Sequence, residues 1–251
     1  LNRLSHNAML CHLRKTNLPL NATAKVVGPR LLHSTQWGLF DPIDTPDGGN
    51  IGLHKHLAIT AYITQGYSRE KIIDWLRIKV NMALIQDCTP LVLSTMTKVF
   101  VNGTWAGALT NPLDTVSKFK LFRRNGLIPI YTSISFDCQL NTIFIYTDAG
   151  RICRPIFYKD EDTNKMSFDQ KHILKYLEDG EFKWNNLISG FNHKSVDNFQ
   201  PNHYNMYELF ELYDNINSET NPAKLDRFLK DKAIIDFIDT NETESAVIAL
   251  N

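Results

Sequence analysis

The pattern of apolar and polar positions along this chain predicts short helices and strands in alternation. Leucines at partly helical spacing predict a helix within residues 1–16. Residues 17–24 contain Pro19 and two asparagines and have no periodicity, which is typical of a loop. The apolar run at 57–63 predicts a buried strand, and one apolar face over 69–78 predicts an amphipathic helix.

The next block carries clearer local signals. Asn102-Gly103 sits between two β-prone runs and predicts a tight hairpin, because both residues tolerate the positive φ of such a turn. Asn111-Pro112 then predicts the start of a helix. Arg123 and Arg124 end that helix, where its dipole favours cations, so we interpret both as helix-end charges.

Beyond residue 130 the chain turns strongly β. Short strands are predicted at 131–136, 142–146 and 152–157, with turns between them. A charged linker at 159–165 is followed by helices at 171–177, 184–188 and 221–229. Two closing strands are predicted at 234–238 and 246–250. The whole pattern indicates a mixed α+β, multidomain chain.

At 251 residues, the chain exceeds the usual size of a single domain. We predict three domains at 1–65, 66–128 and 129–251, with an insertion near 191–221. The four cysteines are widely spaced, which indicates a reducing, intracellular location and neither a disulfide framework nor a zinc ribbon. No apolar run approaches the roughly 20 residues of a membrane span, so no membrane partner is predicted. The start at Leu1, without methionine, indicates an internal piece of a longer protein or a processed start.

Residues 25–53, KVVGPRLLHSTQWGLFDPIDTPDGGNIGL, form a loop rich in glycine and proline corners. Gly28 precedes Pro29, so we expect an extended arm that presents Arg30. Pro46-Asp47-Gly48 predicts a turn in which the Asp47 side chain bonds backbone amides. So much backbone restriction indicates that the loop holds side chains at fixed places.

The formal net charge is zero, but the charged residues are unevenly distributed along the chain. Residues 1–40 carry five basic side chains and no acid, residues 41–158 have a net charge of +3, and residues 159–251 have −8. The basic end therefore suits phosphate contact, with arginine as a forked donor and lysine as a compact charge. Trp37, next to Leu39 and Phe40, is interpreted as core. The predicted nucleic-acid contacts are Arg14, Lys15, Lys25, Arg30, His33 and Gln36.

Residues 25–53, with the upstream SHNAMLCHLRKTNLPL, resemble the fork region of the second-largest subunit of multisubunit DNA-directed RNA polymerases. The hairpin, Asn-Pro helix and Arg-Arg-x-Gly order resembles the family's next module, an external domain. IYTDAGRICRPIF at 145–157 resembles another family segment, and AIIDFIDTNETES from Ala233 resembles the part before the hybrid-binding domain. Departures at Lys15, Gly28, Asp44 and Asp47 resemble a divergent lineage, such as that of large DNA viruses.

The resemblance implies a fork-like segment followed by two small α+β external domains. It implies a part in DNA-templated RNA synthesis that positions nucleic acid near the active centre and separates strands. The implied partners are the largest and smaller polymerase subunits, the DNA template and the RNA–DNA hybrid. The Mg²⁺ ions of the complete enzyme would be held by the largest subunit, so this chain alone has no cofactor and no catalytic residue. The implied location is the nucleus or, for a virus, a cytoplasmic factory or the virion.

Other readings of the chain remain open. Asp41, Asp44 and Asp47 recur every third residue but fit no Ca²⁺ loop, so metal binding is a minor alternative. His54 and His56 could face one side of a strand, but no third zinc ligand is evident. The rival function is a non-enzymatic interaction module that docks through its acidic C-terminal half, and an independent hydrolase is a third option.

Overall fold

The computed structural model describes residues 1–160, 164–169, 178, 180, 184–190 and 228–249. The chain divides into two compact units. The first unit is Leu1–Ile63 with Ile152–Pro155, and the second is Thr64–Arg151 with Ile156–Asn251. Both helices and sheets are present, which confirms the mixed α+β prediction. The three-domain division stays a prediction.

The first unit is built from short elements around the glycine-rich and proline-rich loop. Helix α1 (His6–Leu13) begins where the Ser5 hydroxyl accepts a hydrogen bond from the Ala8 amide, at 3.1 Å. Strand β1 (Lys15–Asn17) pairs antiparallel with β2 (His54–His56). The helix predicted within residues 1–16 is thus confirmed.

The strand predicted at 57–63 is mostly wrong. β3 covers only Tyr62–Ile63, which pairs antiparallel with the start of β9 (Ile152–Phe157). The Ala61 amide instead donates to the Ala58 carbonyl at 3.1 Å, which closes a turn, and Ile59 is 99% exposed. An apolar run predicts burial, but pairing decides whether its backbone is a strand.

A five-stranded sheet forms the centre of the second unit. Its order is β4 (Ala83–Leu84), β6 (Thr104–Leu109), β5 (Thr97–Val101), β8 (Thr142–Tyr146) and β7 (Ser133–Asp137). Neighbours are antiparallel except β5 and β8, which are parallel. The hairpin is confirmed, with positive φ of 49° at Asn102 and 74° at Gly103.

The described part of the second unit also contains several α-helices. They are α2 (Glu70–Lys79), α3 (Pro90–Thr95), α4 (Pro112–Arg124), α5 (Trp184–Ser189) and α6 (Thr240–Glu244), with strand β10 (Ile235–Asp239) before α6. The second closing strand is wrong, because residues 246–249 form no strand. The helix predicted at 171–177, the insertion and most of the helix predicted at 221–229 lie outside the described residues.

The core of the second unit is aromatic on the helix side and aliphatic on the sheet side. Trp75 of α2 meets Phe119 and Phe122 of α4 edge-on, with ring centroids 5.8 and 5.5 Å apart. Val99 and Ile143 belong to the same buried cluster. Such aromatic pairs add about 0.5–1.5 kcal/mol each beyond the burial of their area. The helices are therefore anchored firmly to the sheet.

A buried ion network joins the end of α4 to the segment that contains β10 and α6. Arg123 is 1% exposed and donates to both Glu242 carboxylate oxygens, at 2.8 and 2.9 Å, and to Asp236 at 2.9 Å. The Arg124 Nε also donates to Asp236, at 3.0 Å. Arg123 and Arg124 do lie in the last turn of α4, as predicted, but Arg123 is also paired with acids more than a hundred residues later in the chain.

This network makes the stability of the chain depend on pH. Burial by itself would raise the pKa of Asp236, but Arg123 and Arg124 outweigh it and hold that pKa below the ordinary 3.8. A depressed folded pKa means that the stabilisation is complete well above pH 3.8 and is lost as the pH falls below it. We expect the free energy of unfolding, measured with urea, to decline over that acid range, and less steeply in Asp236→Asn. An unchanged acid limb in that variant, as in the exposed control Asp114→Asn, would contradict this.

Candidate nucleic-acid interface

The first group of predicted contacts lies on the β1–β2 ribbon. Lys15 is exposed and stands opposite His56, while Thr16 stands opposite Lys55. Arg14, just before the ribbon, is half-buried, and its Nη2 donates to the Ala58 carbonyl. The pairing therefore brings basic residues from two distant segments to one ribbon.

Arg30 has a different role from the one that its charge suggests. A guanidinium has five N–H donors. Here Nε, Nη1 and Nη2 donate to five backbone carbonyls at 2.7–3.4 Å, and no described carboxylate pairs with the group. The acceptors belong to Ala22, Ala24, Val26, Gly49 and Ile51. Arg30 thus ties the loop at 22–26 to the stretch at 49–51 and keeps its positive charge.

The backbone around Arg30 differs from the expected extended arm. Gly28–Arg30 forms one 3₁₀ turn, in which the Leu31 amide donates to the Gly28 carbonyl. Gly52 has φ +73°, and a Cβ there would lie 2.5 Å from the Cα and carbonyl oxygen of Arg30. Glycine is required at this position because the two backbones touch and the φ is left-handed.

The turn chemistry predicted for Asp47 is made by a different aspartate. Asp47 precedes the 3₁₀ turn at Gly48–Asn50 but makes no capping bond with its side chain. Asp41 accepts hydrogen bonds from the amides of Ile43 and Asp44, at 2.9 and 3.3 Å. Both aspartates precede or follow a proline, so the sequence pattern alone does not separate them.

The remaining predicted contacts lie along the same loop. Lys25 is exposed and lines a shallow pocket of about 280 Å³, together with Arg30 and Gly49. His33 is exposed, and its Nδ1 lies 2.8 Å from the Thr35 hydroxyl. Gln36 is half-buried. Trp37 is 42% exposed, so the interpretation of this residue as core is wrong.

Among the residues that the structure describes, the basic side chains of this surface are not paired with acids, although Asp44 lies near the ribbon at His56. Within the described residues, Arg14, Lys15, Lys25 and Arg30 form no ion pair with a carboxylate, in keeping with the absence of any acid from residues 1–40. Lys15 and Lys25 are exposed. Lys55 also lies on the ribbon, but it is half-buried and stands opposite Thr16, on the face away from Lys15. That any of these residues contacts nucleic acid stays a prediction.

A resident metal finds no obvious site in the described part of the chain. No group of three or more histidine, cysteine, aspartate or glutamate side chains there could hold an ion. His54 and His56 do lie on one strand, but the Nδ1 of His56 contacts Asp44 Oδ2, at 3.1 Å. No helix among the described residues is long and apolar enough to cross a membrane.

Comparison with known proteins gives two family matches in chain order. Residues 1–63 match the family described as RNA polymerase Rpb2, domain 3, and residues 99–160 match RNA polymerase Rpb2, domain 4. The first match covers the ribbon and the loop around Arg30. The second covers most of the five-stranded sheet together with α4.

Similar whole proteins are subunits of DNA-directed RNA polymerases II and III. The RNA polymerase II subunit RPB2 of Encephalitozoon cuniculi is 36% identical over 192 residues, and that of Schizosaccharomyces pombe is 34% identical over 203. The RNA polymerase III subunit RPC2 of Drosophila melanogaster is 31% identical over 193. These matches cover 75–76% of this chain but only 16–17% of each relative, so the chain spans about one sixth of their length. The chain belongs to the family of second-largest subunits of DNA-directed RNA polymerases, and it carries the part that includes their domains 3 and 4.

Proposed function

We propose that this chain is the part of a polymerase subunit that positions nucleic acid near the active centre and helps to separate its strands during DNA-templated RNA synthesis. The observation that carries the proposal is a set of exposed basic side chains that form no ion pair with a described carboxylate, within the segment that matches domain 3. Exposed lysines suit contact with phosphates, because such contacts need charge and reach but no base-specific geometry.

The hydrogen bonds indicate different roles for the predicted contacts. Arg30 uses its donors to hold the loop together. Its positive charge therefore attracts phosphates at a distance and does not contact them directly. Lys15 and Lys25 have ammonium groups exposed at the surface and are the direct phosphate contacts of the proposal.

In this proposal, catalysis is carried out by the complete enzyme. The largest and smaller subunits, the DNA template and the RNA–DNA hybrid are the proposed partners, and Mg²⁺ is assigned to the largest subunit. No residue of this chain is proposed to take part in catalysis. A viral lineage also stays a prediction. It is supported by the departures at Lys15, Gly28, Asp44 and Asp47, whereas the relatives named above are eukaryotic.

A salt titration of DNA binding tests the proposal. Each lost phosphate contact lowers the slope of log affinity against log salt by about 0.9 for duplex DNA. We therefore expect Lys15→Ala combined with Lys25→Ala to lower the slope by nearly twice that, whereas Lys98→Ala, an exposed lysine of the second unit, leaves it unchanged. An equal slope in the unmodified chain and in both variants would favour the rival, an interaction module that docks through its acidic half.

A further inference from the structure

Arg154, in strand β9, has a buried guanidinium whose positive charge faces no carboxylate among the described residues. The residue is 6% exposed. One amino group, Nη1, donates to the backbone carbonyl of Trp37, and Nε is buried without an acceptor among the described residues. Burial lowers the pKa of Arg154, and no described carboxylate opposes that effect. Arginine is seldom buried to this extent unless it is paired.

The other arginines in similar surroundings show what Arg154 lacks. Arg123 faces Asp236 and Glu242. Arg151, three residues before Arg154, pairs with Asp148 and Asp239, both at 2.9 Å. Arg30 has five carbonyl acceptors. Arg151 is therefore paired, whereas Arg154 is neither paired with a described carboxylate nor exposed.

The side chain of Arg154 is held in place with one end open. A Cβ at Gly38 would lie 3.0 Å from the Arg154 Cδ, so the glycine leaves the space that the side chain occupies. The Trp37 carbonyl fixes Nη1. The Nη2 amino group has no acceptor among the described residues and, unlike Nε, it is not fully enclosed. A fixed cation thus presents one donor group from a recess.

We propose that Arg154 is the receptor for an aspartate or glutamate carboxylate that comes from outside this chain. A carboxylate matches the guanidinium donors and supplies the missing charge. A slender side chain can reach a recessed donor, whereas a nucleic-acid backbone contacts protruding cations such as Lys15 and Lys25. That the carboxylate belongs to another part of the polymerase rests on the proposed function, but the site itself does not.

A titration of the 251-residue chain with sodium acetate tests the site directly. Acetate is the probe, and sodium chloride at equal ionic strength is the reference. We expect the Nε–H resonance of Arg154, assigned from its loss in Arg154→Lys, to shift and saturate with acetate while that of Arg123 stays fixed. No shift at Arg154 would overturn the proposal. A larger shift with duplex DNA than with acetate would assign the site to nucleic acid and overturn it too.

Thermal unfolding gives a second readout. Near-saturating acetate should raise the midpoint of the wild-type chain by about 2–4 °C over chloride. Arg77→Gln, at an exposed arginine of α2, should keep this gain, and Arg154→Gln should lose it. An equal gain in both variants would count against the site. If Arg154→Gln does not fold, the resonance titration of the wild-type chain decides. The DNA slopes of the lysine variants are measured separately, so failure of the proposed function would be recognised independently.

Discussion

Replacing Arg123 by methionine is expected to lower the free energy of unfolding by about 3–5 kcal/mol. The substitution keeps much of the side-chain length but removes the buried counter-charge of Asp236 and Glu242, which is the costly way to break a buried ion pair. Only Arg124, 3.0 Å from Asp236, and Lys120, 3.7 Å from Glu242, then remain near the two acids among the described residues. It also removes the hydrogen bond from Nη1 to the Thr132 carbonyl, at 2.8 Å. Urea denaturation at neutral pH measures the loss.

Helix α4 offers its own control. Lys118 pairs with Asp114 one turn away, at 2.9 Å, and both side chains are largely accessible to water. Lys118→Met should therefore cost less than about 0.5 kcal/mol. A triple variant with apolar residues at 123, 236 and 242 should recover much of the stability lost by Arg123→Met, because no fully buried charge of the network is then left without its partner. Equal losses for the two single variants would show that the network contributes nothing beyond a surface pair.

Local signals in the sequence account for much of this fold. Asn102-Gly103 predicts its hairpin because the turn itself requires positive φ at both residues. Helix α4 is predicted from its own apolar face and its proline. Arg123 shows the limit of such reasoning, since helix-end chemistry explained it well enough locally. Its actual partners are brought to it only by the packing of β10 and α6.

In the candidate site, too, some features can be predicted from the local sequence, whereas others depend on contacts between distant segments. Its basic residues are visible in the sequence, as is the absence of acids around them. Their different roles are not visible, because Arg30 and Lys25 look equally uncompensated until the carbonyl acceptors of Arg30 are in place. The face on which Lys55 lies is likewise set by strand register, which pairs it with Thr16 and so turns it away from Lys15.

Replacing Gly52 by alanine is expected to cost about 3 kcal/mol or more and to weaken DNA binding. The left-handed φ of +73° costs a residue with a Cβ about 1–2 kcal/mol. The Cβ would also lie 2.5 Å from the Arg30 backbone, which cannot move without breaking the bonds that tie the loop together. Overpacking of this kind adds about 1–3 kcal/mol. Urea denaturation measures the total, and hydrogen exchange of the amides at 22–31 shows whether the loop opens.

Two nearby glycines allow the backbone strain and the steric contact at Gly52 to be measured separately. Gly48 has φ +76°, but a Cβ added there would have no atom within 4 Å, so Gly48→Ala carries the backbone strain alone and should cost only about 1–2 kcal/mol. Gly28 has neither feature, so Gly28→Ala should be close to neutral. If loop exchange and stability in Gly52→Ala match those in Gly48→Ala, contact with Arg30 does not shape the loop. If only Gly52→Ala opens the loop and weakens DNA binding, then the phosphate-facing surface depends on a backbone contact as well as on its charges.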